Sequence, residues 1–448
     1  MKTQCLTNFQ LQPLSEAWPT LNRWADLRLD GVLPRNNIVA VADKERGLCF
    51  DIPRPREYQR FLQNGSQGGG FLATKNDFQL LPRDEYFVAG QEYIRLDYTN
   101  DALANLAQLG GVNRGDLERA AEKYPDLAAN WINVWLRDYD SINKNRKNLL
   151  ELNEVKNLVR CYGPTPEMLG KSDGVLRAVR SDAFNISIDA PDLISILCGI
   201  LSQKKQRGDW DNVQVSVSAN DRYCYIVIDN RDMALATATG KKIGASCVIR
   251  TSDVGYSSLV IEERALVFAC MNGMIIGEPV RKAHLGKRQG DGFQYSNRTK
   301  NLQSATMLSE LGDVLENVFD RERFTNFINK QSENEKIIVA EKEESQIFSC
   351  IQENMGITED VRNRLVSQFL AEQNPDGSLN RTKDGVVQAI TQIGRQIAVG
   401  ESYEKALPFE AMGGKISMMD NEIFNSLQTV SVKRGAAMID KVVLRSMN

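Results

Sequence analysis

Apolar and polar residues alternate strictly over residues 213–217, a pattern typical of a strand with one buried face. A polar turn at 219–222 and an apolar run at 223–229 follow, so the two runs are predicted to pair as a hairpin. Residues 244–251 and 257–262 suggest a second antiparallel pair, and residues 268–270 are predicted to lie on a helix or on another buried strand. The middle of the chain is therefore predicted to form an antiparallel sheet.

Helical spacing of apolar residues flanks these strands on both sides. Residues 193–203 are amphipathic, and Trp131 and Trp135, four residues apart, share one face of a predicted helix, as in a core stripe. From about residue 304 the pattern is helical, with a turn signal at 374–377. The terminal helices are predicted near 345–354, 358–373 and 382–399.

These patterns predict an α+β protein, with a central antiparallel sheet, helices packed on it and a helical C-terminal part. At 448 residues the chain is long enough for two or three domains. We predict an irregular N-terminal region with short strands (1–112), an α+β core with a basic loop at 281–300 (113–330), and a helical C-terminal region (331–448).

The composition narrows the classes of function. A chain with 42% hydrophobic and 25% charged residues is globular, and a formal net charge of -3 gives no global attraction to nucleic acid or membranes. The eight cysteines include no CxxC pair, which favours reduced thiols over disulfides or a zinc site. No signal peptide or membrane span is evident, so we expect a cytoplasmic protein with no membrane partner.

One stretch is strongly basic in this acidic chain: residues 281–300 carry six basic residues against a single acid, Asp291. Cations bind phosphates and aromatic rings stack on unpaired bases, so the stretch is predicted to contact nucleic acid. A solvated hairpin loop and a contact with an acidic protein partner are the alternatives. The candidate contacts here are Arg281, Lys282, His284, Lys287, Arg288, Phe293, Tyr295, Arg298 and Lys300.

Other polar residues are weaker candidates. Arg177 and Arg180 flank the end of a predicted strand and are second-tier phosphate contacts, with an internal pairing of Arg180 and Asp182 as the alternative. His284 is the only histidine, and no nucleophile elbow accompanies it, so a hydrogen bond to phosphate or backbone is preferred over catalysis. Asn272 with the following glycine predicts a turn with positive φ. We predict no catalytic residue, metal or cofactor.

Three segments carry a family resemblance. They are residues 175–182 (VLRAVRSD), residues 252–274, which begin SDVGYSSL and end CMNGM, and residues 385–392 (GVVQAITQ). Through these motifs, residues 170–400 or so resemble the phage- and plasmid-encoded domain-of-unknown-function family 932. The resemblance implies a mobile-element or phage protein acting in the cytoplasm of a bacterium or infected cell. The strand–hairpin–helix core is also similar to that of the phage single-strand annealing recombinases.

The sequence therefore predicts a non-catalytic protein of a phage or mobile element that binds single-stranded DNA in recombination, replication or DNA protection. Self-assembly into a homo-oligomer is expected, because repeating one small basic surface multiplies its affinity. The first alternative is a self-assembling structural or host-defence interaction protein. The second is a metal-dependent nuclease, for which the aspartates lie at predicted turns and are accounted for by the turns themselves.

Overall fold

The structure is a computed structural model that describes residues 9–54, 93–137, 156–165, 167–168, 171–181, 189–276, 281–283 and 297–442. Two β-sheets and a long helical C-terminal part make it an α+β protein, so the predicted fold class is confirmed. Each sheet packs into its own hydrophobic core.

The central sheet is antiparallel and contains the hairpins predicted from alternation. Its strands, in the order β1-β8-β9-β10-β11-β12 with β13 also paired to β11, are β1 (Phe9–Pro13), β8 (Val213–Ala219), β9 (Cys224–Ala236), β10 (Lys242–Thr251), β11 (Leu259–Val267), β12 (Asn272–Ile275) and β13 (Arg281–Ala283).

The middle strands of this sheet are buried on both faces. Seven consecutive residues of β9 and seven of β10 are buried, which matches their nearly unbroken apolar runs.

The helices around the central sheet are α1 (Leu14–Leu27), α5 (Ala190–Gln206), α6 (Asn297–Val318), α7 (Arg321–Asn334), α8 (Glu344–Met355), α9 (Glu359–Ala371), α10 (Lys383–Gly400), α11 (Tyr403–Met418), α12 (Asn421–Leu427) and α13 (Val432–Asp440).

A second sheet is mixed. Its strands, in the order β2-β6-β7-β5-β4-β3, are β2 (Arg28–Pro34), β3 (Val39–Asp43), β4 (Gly47–Pro53), β5 (Tyr93–Tyr98), β6 (Lys156–Tyr162) and β7 (Val175–Ser181), and the pair β5–β7 is parallel.

Three helices cover one face of this mixed sheet: α2 (Asn100–Gly110), α3 (Arg114–Lys123) and α4 (Pro125–Arg137). They share one apolar core with strands β2 to β7. The short strands predicted within residues 1–112 are present, but the predicted boundary at 112 falls between α2 and α3, inside this core.

At the edge of the mixed sheet, the Asn133 side chain accepts from the N–H of Ala40 and donates to its carbonyl, both at 2.8 Å. These bonds satisfy two backbone groups of the edge strand β3.

A buried network of arginines and aspartates joins the two sheets. Arg28 donates to Asp189 at 2.6 Å and to Asp192 at 3.2 Å, and Arg160 donates to Asp189 and to the carbonyl of Asp253. Burial alone would raise the pKa of Asp189, but the charges of Arg160 and Arg28 hold it well below its usual range. The paired charges thus fix the start of α5 against the mixed sheet.

Three local predictions were wrong. Trp131, expected in a core stripe, is 38% exposed, whereas Trp135 is partly buried. Residues 268–270, predicted as helix or strand, lie in the turn between β11 and β12. Asn272 lies within β12, and the positive φ of that turn belongs to Met271, at 56°.

Candidate nucleic-acid interface

The loop between β10 and β11 lies over arginines of the mixed sheet. Arg177 is 6% exposed, its guanidinium is 3.4 Å from a carboxylate oxygen of Asp253, and it covers the Tyr162 ring at 4.0 Å. Arg180 donates to the carbonyl of Val254 at 2.7 Å. Arg177 is therefore committed to holding this loop, and its burial argues against a contact with phosphate.

A glycine makes this contact possible. Gly255 has φ of +79°, and a Cβ built there would lie 3.0 Å from Nε of Arg180. Only glycine combines that backbone conformation with so close an arginine. Residues 177–180 and 253–255, which belong to two motifs far apart in the chain, therefore pack directly on each other.

Arg180, Arg222, Tyr223, Arg250 and Tyr256 form what we call the basic–aromatic patch. The Tyr256 ring lies 5.4 Å from the guanidinium carbon of Arg180 and 5.2 Å from that of Arg222, and it makes an edge contact with Tyr223 at 6.5 Å. Each of the five side chains is partly exposed. Cations and flat rings thus alternate at one end of the central sheet, as at surfaces that bind single strands.

Arg222 is the member of the patch that is neutralised. Its Nε donates to Asp101 at 2.7 Å, and Asp101 is 3% exposed at the start of α2. The pair ties the turn between β8 and β9 to α2, one of the helices that cover the mixed sheet. Arg222 therefore orients the Tyr256 ring and adds little net charge to the surface.

A cavity of about 250 Å³ opens beside the patch. Tyr223, Tyr225 and Arg250 line one side, and Glu262 and Glu404 add two carboxylates. The remaining lining is apolar and comes from Leu407, Pro408 and Ala411 on α11 and from Ile275 at the end of β12. The cavity thus combines aromatic walls with one cation and two acids.

Two residues that line this cavity each have a buried polar atom without a hydrogen-bond partner: Nε of Arg250 and one carboxylate oxygen of Glu262. No described residue accepts a hydrogen bond from Arg250. Burial raises the pKa of Glu262, although the charge of Arg250 opposes that rise. Buried polar groups are paired in nearly all native structures, so these two side chains have hydrogen-bonding capacity that the described residues do not use.

The predicted residues Arg281 and Lys282 lie on β13. This strand pairs with β11, which contributes Glu262 to the lining of the cavity. Lys282 pairs with Val260 and Arg281 pairs with Ile261 on β11. Val260 also pairs with Arg250 on β10. Lys282 and Arg250 therefore flank the same residue across three neighbouring strands.

The rest of the predicted basic surface is only partly covered by the structure. His284, Lys287, Arg288, Phe293 and Tyr295 lie outside the described residues. Arg298 and Lys300 lie in the first turn of α6, where the structure describes the backbone. The predicted phosphate contacts in this stretch stay predictions.

Among the described residues, no group of three histidine, cysteine or acidic side chains is placed to hold a metal ion. Seven cysteines are free thiols, and burial raises the pKa of Cys224 and Cys247 far above the usual range. In the described part of the chain, no helix has the length and apolar character needed to cross a bilayer.

Sequence reasoning missed most of the patch and all of the cavity. Arg222 and Tyr223 were assigned to a turn and a strand start, and Tyr256 to a family motif, without a role. The available signal was the repeated placement of tyrosine and arginine at the ends of consecutive strands. The structure was needed to show that these ends meet.

Comparison with protein-family models, with curated proteins and with solved structures gave no match, so the family resemblance stays a prediction.

Proposed function

We propose that the protein binds single-stranded nucleic acid without catalysis, at the end of the central sheet formed by β13 and the basic–aromatic patch. A role in recombination, replication or protection of phage or mobile-element DNA belongs to the same proposal. The observation that carries it is the strand register, which brings Lys282 level with Arg250. The basic stretch predicted from sequence therefore begins at the surface where Tyr223 and Tyr256 are partly exposed.

Each part of the surface supplies one element of binding. Arg281 and Lys282, with the basic residues that follow, supply positive charge to the phosphates, which dominates affinity for nucleic acid. Tyr223 and Tyr256 supply flat faces on which unpaired bases stack, worth about 1–3 kcal/mol for each base. Single strands expose such bases and duplexes do not, so the rings favour a single strand.

The decisive experiment measures retention of a fluorescent single-stranded oligonucleotide over a series of salt concentrations. The double variant Arg281→Glu/Lys282→Glu should lose affinity at least tenfold and reduce the salt slope by about 1.4, because each neutralised phosphate contributes about 0.7. A matched control is Lys433→Glu/Arg434→Glu, two adjacent exposed basic residues on α13. The control makes the same change of charge and should bind as the wild type does.

A second double variant separates the contribution of β13 from that of the basic residues that follow it in the sequence. Lys287→Glu/Arg288→Glu should also abolish retention while leaving the unfolding transition unchanged. Equal retention by both double variants and the wild type would show that the basic stretch is not the binding site. Cleavage of the oligonucleotide on addition of a divalent metal would instead identify a nuclease.

A second function, self-assembly as a structural or host-defence interaction protein, is favoured by an apolar stripe on α4. Leu127, Trp131 and Val134 are 42%, 38% and 56% exposed, and their spacing places them on one helical face. The mass of the purified protein, measured with and without nuclease treatment, tests this role. Self-assembly is supported if the wild type forms an oligomer that persists after nuclease treatment and the Trp131→Glu variant is a monomer. It is excluded if the wild type and the variant are both monomers.

A further inference from the structure

The polar side chains that line the cavity beside the basic–aromatic patch restrict which ligand atoms can bind there. Arg250 can only donate hydrogen bonds, and an ionised Glu262 can only accept them. Each contributes a buried atom that no protein group satisfies. A ligand that fits must therefore present a hydrogen-bond acceptor to Arg250 and a donor to Glu262.

Charged ligands do not fit this arrangement. An anion such as a phosphate would be attracted by Arg250 but would face the carboxylates of Glu262 and Glu404 in the same cavity. A cation would be attracted by the two carboxylates but repelled by Arg250. The charges select a neutral group whose acceptor and donor lie side by side.

The shape of the cavity selects a flat and small group. Its volume, about 250 Å³, is below the range of roughly 300–1,000 Å³ that is usual for drug-sized ligands, so it suits one ring system. Tyr223 and Tyr225 line it, with ring centroids 5.9 Å apart and planes tilted by 44°. On the opposite side the aliphatic residues of α11 close it.

We propose that this cavity binds a single nucleobase and prefers guanine, an inference that rests on the proposed binding of single strands. On its pairing edge guanine presents the O6 acceptor beside two donors, N1–H and N2–H. O6 would accept from Arg250, and the two N–H groups would donate to the carboxylate of Glu262. The other bases offer one donor group on that edge and gain less from the carboxylate.

The position of the cavity matches this role. Arg250 lies one strand from Lys282 across Val260, so a strand whose phosphates lie along β13 would have bases within reach of the cavity. Glu404 already accepts a hydrogen bond from Asn220 at 2.8 Å and is less available to a ligand. Glu262 is therefore the residue that sets the choice of base.

The test uses free nucleosides and the full chain. Guanosine, adenosine, cytidine and uridine are titrated to millimolar concentration and binding is read by ligand-observed NMR. Guanosine should bind most tightly, and Glu262→Gln should weaken it about tenfold, the effect of losing a bidentate contact. The control Glu341→Gln changes an exposed carboxylate in the same way and should leave guanosine binding unchanged. Circular dichroism confirms that each variant is folded.

The outcomes separate this proposal from the proposed function. If guanosine binds with the expected preference but no oligonucleotide is retained, the cavity stands and strand binding fails. If oligonucleotides are retained in a salt-dependent way but the four nucleosides bind equally or not at all, strand binding stands and the cavity proposal is overturned. Unchanged guanosine affinity in Glu262→Gln would also overturn it. The double variant Arg281→Glu/Lys282→Glu should lose binding of the oligonucleotide and keep binding of guanosine.

Discussion

Two arginines on neighbouring strands of the central sheet have opposite surroundings. Arg264 on β11 is 4% exposed and donates to Glu410 at 2.9 and 3.0 Å, to Asp229 at 3.2 Å and to Ser246 at 3.2 Å. Arg250 on β10 is partly exposed, lines an open cavity and donates no hydrogen bond to a described residue.

The difference separates a charge that holds the fold from a charge that can bind a ligand. Arg264 is committed to the fold, because four of its five N–H groups already donate to protein oxygens and the backbone packs closely against it. A Cβ at Gly273 would come as close as 1.8 Å to its guanidinium, so only glycine fits there. Arg250 has lost water at Nε without gaining a protein partner, which is expected where a ligand completes the site.

The largest predicted effect is therefore on Arg264. Replacing it by methionine leaves the carboxylates of Glu410 and Asp229 buried without a counter-charge, which should lower the free energy of unfolding by about 3–5 kcal/mol. Chemical denaturation followed by tryptophan fluorescence measures this loss.

The matched double variant Arg264→Met/Glu410→Leu removes one of the stranded charges. It should be more stable than the single variant, since an apolar pair in place of a buried ion pair costs little. A loss of less than about 1 kcal/mol in Arg264→Met would break the distinction drawn between the two arginines.

The sheet that holds both arginines could largely be predicted from the sequence. The alternation at 213–217 and the apolar runs at 223–229, 244–251 and 257–262 all fall within or overlap observed strands, because a half-buried strand imposes a period of two. The predicted helices at 345–354, 358–373 and 382–399 agree with α8, α9 and α10 to within two residues at each end.

The candidate site could not be predicted in the same way. Tyr223, Arg250, Tyr256 and Glu262 come from three strand ends and a loop, and only strand pairing brings them together. No local pattern distinguishes the arginine that is paired from the one that is not. For the same reason Arg177 was predicted to contact phosphate, although Asp253, 76 residues away, holds it.

A third cation, the buried Lys383, sharpens the comparison. Lys383 is fully buried at the start of α10 and donates to the carbonyl of Met419 at 2.5 Å and to Asn421 at 3.1 Å. Burial, with the nearby charge of Lys330, lowers the pKa of Lys383 to about 7. The hydrogen-bond partners of Lys383 are neutral oxygens. Lys383 is therefore an intermediate case: it is hydrogen-bonded, as Arg264 is, but it has no carboxylate bonded to it, as is also true of Arg250.

The prediction for Lys383 concerns pH. Between pH 7 and pH 9 the unfolded chain keeps its proton on this lysine while the folded chain loses it, so stability rises with pH in that window. Wild type should gain on the order of 2 kcal/mol over Lys383→Met between pH 7 and pH 9, because each unit of pKa difference is worth about 1.4 kcal/mol.

Urea denaturation of both proteins at the two pH values measures this difference, which cancels the titration of every other group. The exposed Lys433→Met serves as the control and should track the wild type at both pH values. A difference between wild type and Lys383→Met that is the same at pH 7 and pH 9 would mean that the folded lysine titrates normally.

The smallest predicted effect is on Arg250. Replacing it by methionine removes a guanidinium that makes no hydrogen bond to a described residue, so the free energy of unfolding should change by less than about 1 kcal/mol. The same denaturation experiment as for Arg264 measures it. A loss as large as that of Arg264→Met would show that Arg250 is structural, and the cavity would then lose the donor on which its selectivity depends. Near-equal stability, together with loss of guanosine binding, would show that the sheet places one arginine to hold α11 and the other to bind a ligand.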